Sequence, residues 1–167
     1  MELFKSLFNK NAYPEKINKI QMKETHISWV FLTGKHAYKV KKPVNYGFLD
    51  FSTLEKRRHF CEQELRLNKR LCKGIYLAVL PITESNGTIK IGGTGKVIDY
   101  ALKMKQLPED RMMSKLLKEN KINERHISKI AKIVAAFHKN ADKASSKYGS
   151  AKIRKLNWDE NFSQTSE

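Results

Sequence analysis

The sequence predicts an α+β protein, in which a sheet of about five antiparallel strands with one inserted helix is followed by two or three helices. The first observation is a set of short segments on both sides of one long helical pattern, each rich in β-branched and aromatic residues. The second is a change to helical spacing after residue 107. Hairpins around a single inserted helix favour an antiparallel sheet over alternating strand–helix units. We expect two domains, at 1–107 and 108–167.

The strand segments are separated by turn residues. Thr33 and Gly34 mark a turn before the segment at 37–41, and Pro43 ends that segment. The run Gly-Gly-Thr-Gly at 92–95 precedes Lys96 but lacks the full phosphate-loop spacing and is followed by a strand pattern. We therefore predict a hairpin turn there. The segments with strand character lie between 20 and 32 and at 37–41, 76–82, 88–91 and 96–104, the last two paired around that turn.

Helical patterns follow the third strand segment and occupy the second domain. Ser52 and Glu55 have the spacing of a capping box, and the helix that they open is predicted to run to Leu71. A helix is predicted to start at Pro108 and another near Asn123, while 141–167 has only weak patterns. Residues 1–18 are expected to form a short helix or a packed arm. The predicted buried face of the first long helix consists of positions 54, 58, 61, 65, 68 and 72.

The charge and the cysteine content limit the classes of function. The net charge is +16, which suits a phosphate-rich partner, but the 26 lysines outnumber the 7 arginines and are spread along the chain. We therefore do not expect a nucleic-acid partner. Cys61 and Cys72 lie too far apart on one helix for a disulfide, and Cys61 is expected to be buried and inert. No apolar run is long enough for a membrane span, so we expect a cytoplasmic protein without a membrane partner.

A strand lysine and a helix glutamate form the most informative pair. Lys39 lies in the segment Ala-Tyr-Lys, and Glu64 lies in the following helix. Kinases hold nucleotide phosphates with a strand lysine that a helix glutamate orients. The sequence around this pair resembles bacterial proteins of the aminoglycoside-phosphotransferase family, some of which are fused to a P-loop ATP-binding domain. The blocks that carry the resemblance are 24–32, 38–44, 47–52, 61–71, 76–82, 99–104 and 137–138.

The resemblance covers roughly residues 12–140 and implies a kinase-like nucleotide-binding lobe at 1–107. It implies that ATP, with magnesium, is the cofactor. Lys39 would contact the phosphates, with Lys41 as the alternative because it lies on the same face of the strand. Glu64 would orient the lysine, with Glu62 as the alternative. The remaining implied contacts are Thr25 and Ser28, in a turn over the phosphates at 23–28, and Lys105, Gln106 and Leu107, in a hinge against the adenine ring.

The catalytic part of such a kinase is not recognisable in this sequence. Transfer needs an aspartate in a His-x-Asp-type loop, a nearby asparagine and a second aspartate for magnesium. No histidine follows His138, and neither Asp142 nor Asp159 lies in such a context. We therefore predict no catalytic residue and no metal ligand. Three explanations are open: a truncated or excised fragment, one piece of a split protein, or a module that keeps the nucleotide lobe without transfer.

Three functions follow, and the sequence leaves open whether the chain is an enzyme. The first is a nucleotide-binding, small-molecule-kinase-like lobe whose transfer activity alone is doubtful. The second is a non-enzymatic interaction or regulatory module, with a protein partner or self-association through the surface that a missing lobe would leave. The third is a basic nucleic-acid-binding protein.

Overall fold

The computed structural model describes residues 2–143 and 151–164. The chain divides into two compact units, Met1–Met112 and Met113–Glu167. The first unit contains an antiparallel sheet and helices, and the second contains helices. The α+β class predicted from the sequence is confirmed.

Six strands form the sheet in the described part of the chain, where about five were predicted. The helix that follows the third strand was also predicted. The strands are β1 Gln21–Glu24, β2 Ser28–Leu32, β3 His36–Lys41, β4 Tyr76–Ser85, β5 Thr88–Ile91 and β6 Lys96–Lys105, in the order β1-β2-β3-β6-β4-β5.

The predicted pairing of 88–91 with 96–104 is wrong. β5 pairs with β4, whereas β6 lies between β4 and β3. The tight turn is at Asn86 and Gly87, which both have positive φ, so the β4–β5 hairpin is already closed there. The glycine-rich run at 92–95 carries the chain from one edge of β4 to the other. Gly95 allows the crossing because its φ is +132° and an added Cβ would lie 2.5 Å from the Glu84 carbonyl oxygen.

The N-terminal segment covers one face of the sheet, as the sequence led us to expect. It contains helix α1, Glu2–Ser6, and a 3₁₀ turn, Lys10–Ala12. Its apolar side chains join the even-numbered residues of β3 in the main core. That core consists of Leu7, Ala12, Tyr13, Ile17, Phe31, Tyr38, Val40, Ile82, Ile91 and Ala101.

Helix α2, Leu54–Lys69, packs against β4 and β6. Its N-cap is Thr53, whose side chain accepts from the Lys56 N–H, so the capping box predicted at Ser52 does not form. The helix ends two residues before the predicted Leu71. Its buried residues are Arg57 and Cys61. Cys61 belongs to the predicted face, but position 58 was predicted in place of Arg57, because a search for apolar positions does not detect a buried arginine.

The second unit contains α3, Met113–Lys118, α4, Glu124–Asn140, and α5, Ala151–Gln164. The helix predicted to start at Pro108 begins later: Glu109–Arg111 form a 3₁₀ turn in the first unit, and the α-helix starts at Met113. Asn123 and the His126 ring cap the start of α4 reciprocally. The helix α5 lies in the stretch where the sequence has only weak patterns. Within the described residues, no helix has the length and apolar character that a bilayer crossing requires.

Candidate functional site

The predicted lysine–glutamate pair is present between β3 and α2. Lys39 and Lys41 are two residues apart on β3, so their side chains leave the same face of the sheet. Lys39 Nζ donates to Glu64 Oε1 at 2.8 Å, and Lys41 Nζ donates to Glu64 Oε2 at 2.8 Å. One glutamate therefore binds both of the lysines that the sequence offered as alternatives. Glu62, the alternative glutamate, is bound to Arg58 on the exposed side of the helix.

The two lysines differ in burial. The Lys41 side chain is 5% exposed and the Lys39 side chain is 25% exposed. The Lys41 ammonium also lies 4.6 Å from the centre of the Phe51 ring, which favours a cation at that position. Burial acts to raise the pKa of Glu64, but the hydrogen bonds from both lysines outweigh it and hold the pKa below its ordinary value. The cluster thus carries a net charge of +1, which suits a phosphate group.

The groups that surround Glu64 are neutral near pH 7. Burial raises the pKa of the Cys61 thiol to about 11, so this cysteine is protonated, and the expectation that it is buried is confirmed. Burial likewise raises the pKa of the Tyr76 phenol. The Asn68 side chain donates to the Glu64 carbonyl oxygen within the helix. The charge of the cluster is therefore set by the two lysines and the glutamate.

The predicted phosphate turn is the β1–β2 hairpin, and its polar groups are largely engaged. Thr25 Oγ1 donates to the Ser28 carbonyl oxygen and accepts from the Ser28 N–H. Ser28 is fully buried, and its hydroxyl oxygen has no hydrogen-bond partner among the described residues. Lys23 forms an ion pair with Glu109. Thr25 is exposed and open to a ligand, whereas contact with the buried Ser28 hydroxyl would require the hairpin to open.

Two of the three predicted hinge residues already form hydrogen bonds within the first unit. The Lys105 N–H donates to the Ile75 carbonyl oxygen at 2.8 Å, and the Gln106 N–H donates to the Lys35 carbonyl oxygen at 3.1 Å. The Gln106 side-chain oxygen accepts from the Gly34 N–H. Leu107 is 56% exposed. An adenine ring would therefore have to take its backbone donor from Leu107 rather than from the two residues before it.

Sequence reasoning missed a buried ion pair that fixes α2. Arg57 Nε donates to Asp99 Oδ1 at 2.9 Å, and Arg57 Nη1 donates to the carbonyl oxygens of Phe51 and Ser52. Burial raises the pKa of Asp99 despite the arginine beside it. The pair connects α2 to β6 and to the segment that carries the Phe51 ring. The one signal in the sequence is an aspartate inside the apolar strand pattern at 97–102.

A second glutamate cluster lies on the opposite face of the sheet and was also missed. Glu15 accepts from the Tyr38 hydroxyl at 2.7 Å and from Lys103 Nζ at 2.9 Å, and its Oε1 lies 2.6 Å from His36 Nδ1. These partners belong to β3 and β6, whereas Glu15 belongs to the N-terminal segment. The cluster therefore joins that segment to the sheet.

The described residues contain no group of three or more His, Cys, Asp or Glu side chains that could hold a metal ion. Of the residues that the sequence predicted as nucleotide contacts, Lys39 and Lys41 meet at Glu64, and Leu107 is exposed.

Comparisons with known proteins give a partial likeness. An uncharacterized protein of Mycobacterium tuberculosis and one of Mycobacterium bovis are each 31% identical to this chain over 124 residues, which is 74% of this chain and 23% of theirs. The chain thus spans less than a quarter of the length of the curated relatives that it matches. No family model matches the chain, and no solved structure matches it. Since both relatives are uncharacterized, the likeness shows bacterial relatives and transfers no activity.

Proposed function

We propose that the first unit is a kinase-like nucleotide-binding lobe, similar to that of aminoglycoside phosphotransferases, which binds ATP and depends on other polypeptide for phosphate transfer. The observation that carries the proposal is the contact of Lys39 and Lys41 with Glu64. ATP would supply the phosphoryl group, and the residues of this chain would bind and orient the nucleotide.

Three features support the proposal. A strand lysine and a helix glutamate at 2.8 Å form the arrangement that kinases use to position phosphates. The cluster keeps a net positive charge in a half-buried environment, where a charge interacts with phosphate more strongly than it does in bulk water. The buried pair of Arg57 and Asp99 fixes α2, so that Glu64 is held in place before a ligand arrives.

The test is calorimetric titration of the whole chain with ATP and magnesium. We expect binding in the micromolar to millimolar range that is lost in Lys39→Met, because the more accessible of the two ammonium groups is removed. Lys103→Met is a matched control, since it removes a lysine of similar burial that binds a glutamate on the other face of the sheet. No ATP binding by the unmodified chain, or equal binding by Lys39→Met, would overturn the proposal.

One observation favours a second candidate, an interaction module that self-associates. Ile127, Ile130 and Val134 follow helical spacing on α4 and are 50%, 44% and 40% exposed. An exposed apolar stripe of this kind is typical of a surface that binds another protein. Light scattering on the whole chain tests this candidate: a dimer that Ile130→Asp dissociates would support it, and a monomer at all concentrations would count against it.

A further inference from the structure

We propose that Lys41 is a positioning residue that neutralises Glu64 permanently, so that Lys39 carries an uncompensated positive charge to the nucleotide phosphates. The inference rests on the proposed function and deepens it, because it assigns different roles to two lysines that are equally spaced from the same carboxylate.

The geometry separates the two roles. Each lysine binds a different oxygen of Glu64, so Lys39 can turn towards a ligand while Lys41 keeps its own hydrogen bond. The Lys41 side chain is 5% exposed and its ammonium lies beside the buried Phe51 ring, so a phosphate has little access to it. Lys39 is the more exposed of the two, at 25%.

The charge balance gives Lys41 its importance. A single lysine with a single glutamate sums to zero, so a ligand phosphate must compete with the carboxylate for the ammonium. With two lysines the cluster is left with one positive charge. Cys61 and Tyr76, which also face Glu64, are neutral, and the nearby Arg57 and Asp99 are paired with each other. Among the described residues, Lys39 and Lys41 are the charged partners of Glu64.

The experiment is calorimetric titration of the whole chain with ATP and magnesium at about pH 8, using single and double variants. We expect Lys41→Met to weaken ATP binding about tenfold, because the net charge of the cluster falls from +1 to zero. Adding Glu64→Gln to Lys41→Met restores the charge and should recover most of the affinity. Adding Glu64→Gln to Lys39→Met should recover none, because the remaining lysine is enclosed.

The double variants also separate positioning from a merely structural role. If Lys41 only supported the fold, the ATP affinities of the variants would follow their urea midpoints instead of the net charge of the cluster, and that result would overturn the proposal. The affinity of Lys41→Met relative to the unmodified chain should also recover as the pH falls, because protonation of Glu64 returns the cluster to +1. Comparison at each pH cancels the titration of ATP itself.

A measurement without ligand distinguishes failure of this inference from failure of the proposed function. NMR titration of the glutamate carboxyl carbons should show that Lys41→Met raises the pKa of Glu64 by about one to two pH units, and more than Lys39→Met does. The opposite order would overturn the role of Lys41. Absence of ATP binding by the unmodified chain would overturn the proposed function, and the carboxyl titration would still decide which lysine is the main counter-charge of Glu64.

Discussion

Two glutamates, one on each face of the sheet, are bound by residues of the same strand. Glu64 faces the odd-numbered positions of β3 and binds two lysines of that strand. Glu15 faces the even-numbered positions, where it binds His36 and Tyr38, and it also binds Lys103 of the neighbouring strand β6. Their exposed fractions are similar, at 17% and 23%. The alternation of a strand thus places two carboxylate clusters back to back.

The difference between the clusters lies in what each one holds. Glu15 brings the N-terminal segment onto the sheet, and one of its partners is a neutral phenol. Glu64 holds two like charges close together, which would repel each other without it. The first arrangement is explained by stability alone. The second concentrates positive charge at a partly open position, which stability does not require, and this supports a ligand-binding role for it.

The largest expected effect is the loss of Glu64. Glu64→Ala leaves the enclosed Lys41 without its carboxylate and beside a second ammonium, so we expect unfolding to become easier by about 3 kcal/mol. Adding Lys41→Met should recover much of the loss, because no unpaired buried charge is left. Urea denaturation of the whole chain measures both. Equal stability of Glu64→Ala and the unmodified chain would show that the lysines are better hydrated than their burial indicates.

Loss of Glu15 should be the next largest effect. Glu15→Ala removes three hydrogen-bonding contacts between the N-terminal segment and the sheet, and we expect a cost of about 2 kcal/mol. In contrast to Glu64→Ala, it should leave ATP binding unchanged in calorimetry, because its partners lie on the other face. A loss of ATP affinity in Glu15→Ala would contradict the separation of the two faces.

Acidification should lower the stability of the protein through both clusters, and this effect should be smaller than the loss of either glutamate. Burial acts to raise the pKa values of Glu64 and Glu15, but hydrogen bonds outweigh it and lower both in the folded protein. Each lowered pKa contributes stability that is fully present above the ordinary value of 4.5 and is lost as the pH falls through the folded-state pKa.

The urea midpoint, measured between about pH 6 and pH 3, should therefore fall on acidification. Glu64→Gln and Glu15→Gln should each flatten part of this fall. Asp99 has a raised pKa and acts in the opposite direction, so Asp99→Asn should steepen the fall. If neither glutamine variant changes the fall of the urea midpoint on acidification, neither cluster is its cause.

The sequence predicted the fold class and the Glu64 cluster for identifiable reasons. The alternation of β3 at 37–41 is local, and it was enough to place Lys39 and Lys41 on one face. Glu64 was predicted from the resemblance to kinases, which indicates that the helix glutamate contacts the strand lysine; the spacing of residues in the sequence does not. Glu15 had neither source: its partners are 21 to 88 residues away, and it lies in a polar stretch without a repeating pattern.

Two of the errors in the first unit also have physical causes. The strand at 96–104 was assigned to its neighbour in sequence, but which edge of β4 it joins depends on tertiary packing. The face of α2 was assigned from apolar residues, although its centre is Arg57, whose guanidinium is buried because Asp99 and two carbonyl oxygens satisfy it. Patterns of hydrophobicity cannot reveal a buried residue that is charged and paired.

The smallest expected effect tests this corrected face of α2. Arg58 and Glu62 form an ion pair one turn apart, with side chains 58% and 50% exposed, on the solvent side of the helix that carries Glu64. Because exposed pairs of this kind contribute little, Arg58→Ala should leave the urea midpoint and ATP affinity unchanged within error. Arg57→Ala, one residue earlier, should lower the midpoint clearly. If Arg58→Ala were the more damaging of the two, the face first predicted from the sequence would be right, and Glu64 would be held differently.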